Sequence, residues 1–181
     1  VADRIGEQVT VLEVGCGNGR DASLFGDIGH SVVALDASEK AIQFCQKNCQ
    51  RPSIKFIWGT ADKLAQIEGE KFDVVYSRFC IHAMTRREEA NFMEAASKLI
   101  KPDGKIFIEC RSIHDALARE GEVISLTERI HGHYRRFIVL DELKKTMIST
   151  GFDILEAVES KGLAKFGDED PVVIRIEARL V

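Results

Sequence analysis

Short apolar runs alternate with helix-patterned segments along most of this chain, and that alternation limits the fold more than any other feature. Val9–Val14 is rich in β-branched residues and stops at Gly15. Asn18–Ile28 carries helical spacing, with Gly29 as its C-terminal stop. Ser31–Leu35 forms a second run closed by Asp36, and Ser38 is placed to cap a helix that sets Ile42, Cys45 and Cys49 on one face. Ile54–Trp58 and Phe72–Tyr76 follow as strands. Arg86–Ile100 is a helix with Phe92, Met93, Ala96, Leu99 and Ile100 at helical spacing, and Lys105–Cys110 is a strand after the turn Pro102-Asp103-Gly104. The order β-α-β-α-β-β-α-β predicts an α/β fold, doubly wound around a mostly parallel sheet with helices on both faces. Right-handed crossovers fix most of the remaining topology. Leu140–Thr150 is a further amphipathic helix ended by Gly151. Phe152–Glu159 and Val172–Val181, joined by Ser160–Pro171, read as a hairpin at the sheet edge.

The 181 residues suit one domain, 1–181, with enough chain to bury a core without staples. Against 25 Lys and Arg stand 29 Asp and Glu, a net charge of −4, which argues against a general nucleic-acid binder. No apolar run approaches the ~20 residues that span a bilayer, and no basic-then-apolar leader is present. The five cysteines, Cys16, Cys45, Cys49, Cys80 and Cys110, are odd in number and form no CxxC pair. Cys45 and Cys49 share a helical face that could hold a metal, but Cys16, Cys80 and Cys110 follow apolar runs, where free cysteine acts as a small hydrophobe. We expect neither a metal site nor a disulfide set, and a cytoplasmic protein with reduced thiols.

The stretch Glu13-Val14-Gly15-Cys16-Gly17-Asn18-Gly19 sits between a strand and a helix. Glycines there allow a tight turn and close approach of a ligand to the backbone, and the helix beyond offers unpaired N–H groups. Open parallel sheets take ligands at the carboxyl ends of their strands. The dinucleotide pattern G-x-G-x-x-G has Arg20 in place of its third glycine, so nicotinamide oxidoreduction ranks last. No G-x-x-x-x-G-K-[ST] is present either. A glycine turn alone is weak evidence. Three further features agree with it: Asp36 at the end of the second strand can accept both hydroxyls of a ribose, Asp62 in Gly59-Thr60-Ala61-Asp62 can accept from an exocyclic amine, and Phe72–Ser77 carries Asp73 just inside its start.

Together these residues resemble the class I methyltransferases that use S-adenosyl-L-methionine, over nearly the whole chain from Val9 on. Glu13–Gly19 is similar to the family's glycine motif, Asp36 to its ribose-binding acid, Ala61 and Asp62 to its adenine-edge pair, and Ser77 to the strand-end position facing the methionine. The resemblance implies S-adenosyl-L-methionine as cofactor, bound by Glu13, Gly15, Cys16, Gly17, Asn18, Gly19, Asp36, Ala37, Thr60, Ala61, Asp62, Ser77 and Arg78. It also implies seven strands in the order 3-2-1-4-5-7-6 with the last antiparallel. Methyl transfer from a sulfonium is an in-line displacement, so the protein mainly aligns the reactants in a dry site, and a general base is optional.

The acceptor would then bind beyond the fourth and fifth strands, near Ser77–Met84 and Glu109–Asp115, with residues 111–139 as a lid. Arg78, Arg111, Arg135, Arg136 and His82 are candidate substrate contacts, because the planar fork of arginine suits carboxylates and phosphates. Equally, these arginines could pair internally with Glu109, Asp115 or Glu128. His82 follows an apolar segment and reads as a packed residue more than a base. His114, His133 and Tyr134, in polar context, are the candidates for acid–base work. The later stretches, Gly132–Phe137 and Asp170-Pro171 among them, resemble a bacterial branch acting on small molecules, surface sugars or lipids. The expectation is methyl transfer to an oxygen of a small anionic or sugar-like acceptor. N-methylation of a small amine is the nearest alternative. A non-catalytic cofactor-binding module serving regulation or assembly is the other, favoured if the lid neutralises all its own charges. Many members of the family place helices before the first strand. Only eight residues precede Val9 here, so the cover of the acceptor is expected to be incomplete, or the chain to be one domain of a larger protein. Nothing in the sequence sets the oligomeric state.

Overall fold

The computed structural model describes residues 1–60, Leu64, Ile67 and 71–181. Its main sheet contains β1 (Thr10–Val14), β2 (Ser31–Asp36), β3 (Ile54–Trp58), β4 (Phe72–Arg78), β5 (Ile100–Arg111), β9 (Phe152–Ser160) and β10 (Val173–Leu180). These lie in the order β3-β2-β1-β4-β5-β10-β9. Pairing is parallel from β3 to β5, whereas β10 runs antiparallel to both β5 and β9. The mostly parallel sheet with the closing hairpin at its edge is the one expected from the alternation, and its strand order is the one the resemblance implies. The chain order reverses between β1 and β4, which opens a crevice at their carboxyl ends.

Period-two alternation divides the core between two faces. Leu12, Val14, Val75, Ile106 and Ile108 point one way, onto Phe92, Met93, Ala96 and Leu99 of α3 (Arg86–Leu99) and Leu143 and Met147 of α4 (Leu140–Ser149). Val11, Val32, Ala34, Val74 and Tyr76 point the other way, onto Ala22 and Phe25 of α1 (Arg20–Asp27) and Ile42 and Cys45 of α2 (Glu39–Asn48). Along β10, Ile174, Ile176 and Ala178 serve the first face. Arg175, Glu177 and Arg179 face away from that core into ion pairs with Glu109, Lys105 and Asp153. Among the described residues no helix is long and apolar enough to cross a membrane.

Three boundaries differ from the sequence reading. The first helix begins at Arg20, not Asn18, because Gly17 and Gly19 both hold positive φ. The fifth strand begins at Ile100, where it already pairs with Phe72, and the turn at Asp103 (φ 62°) and Gly104 interrupts its register. The largest difference is in 111–139, expected as a lid with no strands of its own. It folds into a second sheet, β6 (Glu122–Val123), β7 (Glu128–His131) and β8 (His133–Arg136), after a short 3₁₀ turn at Ala116–Arg119. Gly132 (φ +74°) makes the β7–β8 turn. The buried Phe137 and Ile138 follow, and Ile138 exchanges backbone hydrogen bonds with Arg111 and Ile113. The apolar anchors are therefore few but fully used.

Candidate functional site

The glycine loop is fastened to the neighbouring strand by its own backbone. The N–H groups of Gly15 and Cys16 both donate to Leu35 O, at 2.8 and 3.0 Å. Gly15 has φ +83°, and a Cβ there would lie 2.4 Å from Cys80 Sγ, so only glycine fits. Gly17 also has positive φ (+53°), but a Cβ on it would meet nothing within 4 Å: it faces open space. Its N–H donates to Asp36 Oδ2 (2.7 Å), while Asp36 Oδ1 accepts from the N–H of Ser38 (2.8 Å). Two backbone donors thus fix the carboxylate at the end of β2, and each oxygen keeps lone-pair capacity for another donor.

Open space at Gly17 continues into a cavity of about 370 Å³ whose lining includes Gly15, Gly17, Asp36, Ala37 and Thr60. Ala61 and Asp62 lie outside the described residues. Cys16 is buried beneath the loop, and Asn18 turns its Oδ1 to the N–H of Arg20. Ser77 is also buried; its hydroxyl donates to Val14 O at 3.1 Å, which pins β4 to β1. Glu13 is buried with Oε2 lacking any partner among the described residues, and burial first, then Asp21, pushes its carboxyl up to about 8. Arg78 turns to the other face of the sheet. There it donates to Glu109 (2.7 Å) and Asp21 (3.4 Å) in a separate cavity of about 440 Å³.

Several lining residues escaped the sequence reading as cofactor contacts: Phe79, Cys80, Ala83, Met84 and Glu88. The first four continue directly from the end of β4. Glu88 could have been found, because Thr85-Arg86-Arg87-Glu88 spells a capping box, and both of its hydrogen bonds form at the start of α3. Cys80 and Cys45 are held as neutral thiols by burial, at about 12 and 11, so neither is a nucleophile near neutral pH. Cys45 donates to Gly17 O (3.3 Å), a packing role for one member of the Cys45/Cys49 pair.

Phe79 links this cavity to a cationic cluster. It is one of three non-glycine residues with positive φ (+51°) among the described residues, a conformation that turns its ring out of the strand direction. The guanidinium groups of Arg78 and Arg111 lie 5.3 and 5.7 Å from the ring centroid, and His82 meets it edge-on at 5.8 Å. Burial first, then Arg111, Arg135, His133 and Arg136, lowers His82 to about 3, so the ring is neutral; its Nδ1 is buried without a partner among the described residues.

The lid arginines divide sharply. Arg111 pairs with Asp115 (3.1 Å) and reaches Glu169 (3.3 Å). Arg136 is buried, pairs with the equally buried Glu89 and donates to Met84 O (3.0 Å). Arg135 contacts His133 Nε2 through Nη2 (2.8 Å), and its Nε is buried with no partner among the described residues. Tyr134 donates to Glu128 (2.6 Å) and is pushed up to about 12 by burial and by that bond. The N–H of His114 donates to Ser112 Oγ (2.8 Å). The fold therefore sets Arg78, Arg111 and His82 against the ring of Phe79, gives Arg78, Arg111, Arg136 and Tyr134 acidic partners, and leaves Arg135 against His133.

The family profile described as "Methyltransferase domain" matches residues 11–104, from β1 through the helix α3 to the turn in β5. A curated relative, the ubiquinone biosynthesis O-methyltransferase of Rhizobium etli, is 27% identical over 157 residues, 83% of this chain and 62% of the relative. The same enzyme of Bartonella bacilliformis is 25% identical over 153 residues, 81% of this chain and 60% of the relative. The chain thus spans about three fifths of the length of the curated relatives it matches. Among solved structures, a methyltransferase of Methanosarcina mazei superposes with a TM-score of 0.85 at 15% identity, covering 99% of this chain and 96% of that one.

Proposed function

Because this chain belongs to the methyltransferase-domain family, we propose that it transfers a methyl group from S-adenosyl-L-methionine to an oxygen of a small anionic or sugar-like acceptor. The observation that carries this reading is the pairing of Asp36 with Gly17: a carboxylate fixed by two backbone N–H groups, beside a glycine that leaves a ligand-sized space open. In that space Asp36 would accept the ribose hydroxyls, and the backbone of Gly15–Gly19 would lie along the amino-acid end. When bound, the cofactor supplies a methyl on sulfonium sulfur; the C–S bond breaks as the C–O bond forms, leaving a thioether and releasing the acceptor's proton. His82, held neutral and far from its ordinary proton affinity, serves as a contact and not as a base. Tyr134 keeps its own proton. His114 and His133 are the remaining candidates to take the acceptor's.

Oxygen is preferred over nitrogen because the curated relatives are named as O-methyltransferases. One solved neighbour at 20% identity and a TM-score of 0.74, the glycopeptide N-methyltransferase MtfA with S-adenosyl-L-homocysteine, shares only the fold. An enzyme is preferred over a non-catalytic module because, among the described residues, Arg135 Nε and His82 Nδ1 are left without partners, where a purely structural lid would have matched them. The free cysteines agree with a cytoplasmic site of action.

Titration calorimetry with S-adenosyl-L-methionine and S-adenosyl-L-homocysteine tests the reading. Both should bind, and Asp36→Ala should weaken each by ~1–3 kcal/mol, the scale of hydrogen bonds to a charged group. No heat from either ligand at high concentration would overturn it. Radiolabelled methyl transfer to a panel of hydroxylated acids, sugars and small amines then identifies the acceptor atom.

A further inference from the structure

We infer that the tip of the β6–β7 hairpin docks this chain on a phospholipid surface, with Leu126 entering the interface and Arg119 and Arg129 meeting the phosphodiester groups. Docking there needs no particular methyl acceptor, and it stands or falls apart from methyl transfer.

Aliphatic side chains gather in the open on this tip. Leu126 is 92% exposed, Val123 67% and Ile124 49%, and Ile130 follows in β7 at 41%. Apolar side chains exposed together, unlike single ones, mark interaction sites. The backbone beneath them is already hydrogen-bonded within the small sheet. The N–H groups of Ile124 and Ser125 donate to Glu128 O (3.1 and 3.4 Å), and that of Thr127 to Ser125 Oγ (3.3 Å). Arg129 Nη1 donates to Ser125 O (2.6 Å) and Glu128 O (2.8 Å), and Thr127 O accepts from the N–H of Phe137 (2.7 Å). A segment that enters an apolar medium needs such bonds, because polar groups without partners are costly there.

Local charge suits phosphodiesters. Neither Arg119 nor Arg129 meets a carboxylate among the described residues. The acids close by are engaged or turned away. Glu120 lies 3.5 Å from His131, and Glu128 accepts from Tyr134. Glu122 pairs with Ile130 on the face of the hairpin opposite Val123 and Arg129, because strand neighbours alternate. The net charge of −4 opposes anionic lipid, but at physiological salt its field is screened beyond ~8 Å. What acts at the surface is then the apolar tip and its two arginines, the combination that adds up to interfacial binding. A second protein is a poorer occupant. Four aliphatic side chains on one hairpin fall far short of the ~800 Å² that each partner buries in a standard interface, and none is an aromatic anchor of the kind such interfaces favour. The tip is also tied to the cavity wall. Phe137, which bonds Thr127, is buried, and its neighbour Arg136 donates to the carbonyl of Met84 (3.0 Å), which lines the cavity beside Gly17.

The full chain, sedimented with vesicles of equal parts phosphatidylcholine and phosphatidylglycerol, provides the test. It should pellet saturably with the lipid. Leu126→Ser should weaken that partition by about tenfold or more, the scale of one buried leucine side chain, and Arg119→Gln by about fivefold. Leu126→Trp should pellet as the unaltered chain does, and its emission should move to the blue when vesicles are added. Because position 126 is so exposed, the thermal midpoints of both Leu126 variants should match that of the unaltered chain. Docking is refuted if the chain stays in the supernatant, if Leu126→Ser or Arg119→Gln pellets unchanged, or if the Leu126→Trp emission does not move. It is refuted too if the lipid-free chain forms a dimer that Leu126→Ser dissociates, which would give the tip to a second copy. None of these outcomes depends on S-adenosyl-L-homocysteine, so a chain that ignores that ligand but pellets with lipid fails the methyltransferase reading alone.

Discussion

At one end of the cavity the chain presents backbone. The Gly15–Gly19 loop hangs from Leu35 O, Asp36 is held by two N–H groups, and the only side chain in those contacts is the carboxylate itself. Past its other end, beyond β4 and β5, it presents side chains: Phe79, turned by a positive φ, with Arg111 and His82 against its ring, and Arg135, Arg136 and His133 on the neighbouring small sheet. The first construction is rigid and has few alternatives, which suits a ligand of fixed shape. The second distributes charge among partners that could be exchanged, which suits a ligand that differs between relatives. Neighbouring residues there have opposite roles. Arg136 is a structural cation buried against Glu89, and the Arg135 Nε is buried without a partner among the described residues.

That division can be broken most decisively at Arg136. Arg136→Met leaves Glu89 buried without its cation, which should cost ~3–5 kcal/mol of stability. Arg135→Gln, one residue away, should change stability by no more than about 0.5 kcal/mol, as an uncommitted side chain would. Urea unfolding of the two variants measures both. Equal costs would mean that the lid does not separate a structural arginine from a binding one.

The contrast also explains what could be read from the sequence. The mostly parallel sheet, the edge hairpin and the glycine loop follow from local patterns: β-branched runs, period-two alternation along β10, and glycines where the chain must hold positive φ; the strand order came with the family resemblance. Pairing among charged side chains is not local. Arg136 meets Glu89 from 47 residues away, Arg78 meets Glu109 from 31, and Val172 donates to Asp115 from 57. Arg78, beside Ser77 in sequence, therefore faces away from the cavity, because successive strand residues point to opposite faces. The small sheet β6-β7-β8 was illegible for a related reason: its strands are two to four residues long and mostly polar, and the apolar anchors Phe137 and Ile138 come only after them.

Glu13 sharpens the backbone side of the comparison, because it is a buried acid just before the loop with an oxygen that has no partner among the described residues. Its carboxyl is raised from 4.5 to about 8 by burial. The folded protein therefore holds a proton there that the unfolded chain gives up above 4.5. The stability linked to this proton is complete below pH 4.5 and is lost as pH rises through 8. Across that window the unaltered chain should lose on the order of 5 kcal/mol that Glu13→Gln retains. Unfolding curves at several pH values compare the slopes; identical slopes would show that Glu13 ionises in the fold as it does in the open chain.

The finest test separates two glycines two residues apart. A methyl on Gly15 would collide with Cys80, so that position reports only on folding. On Gly17 a methyl meets no atom within 4 Å, and its one intrinsic cost is the left-handed backbone, about 1–2 kcal/mol. Gly17→Ala should therefore fold with a modestly lowered midpoint, because the added carbon enters only the cavity. Calorimetry on this variant should show S-adenosyl-L-homocysteine binding lost or strongly weakened, since the ligand would have to share that space. Unchanged affinity would mean that the space beside Gly17 is not where the cofactor's backbone contacts are made. The loop would then be a fastening for β2 and nothing more, and the contrast between a backbone-built end and a side-chain-built end would reduce to a difference in packing.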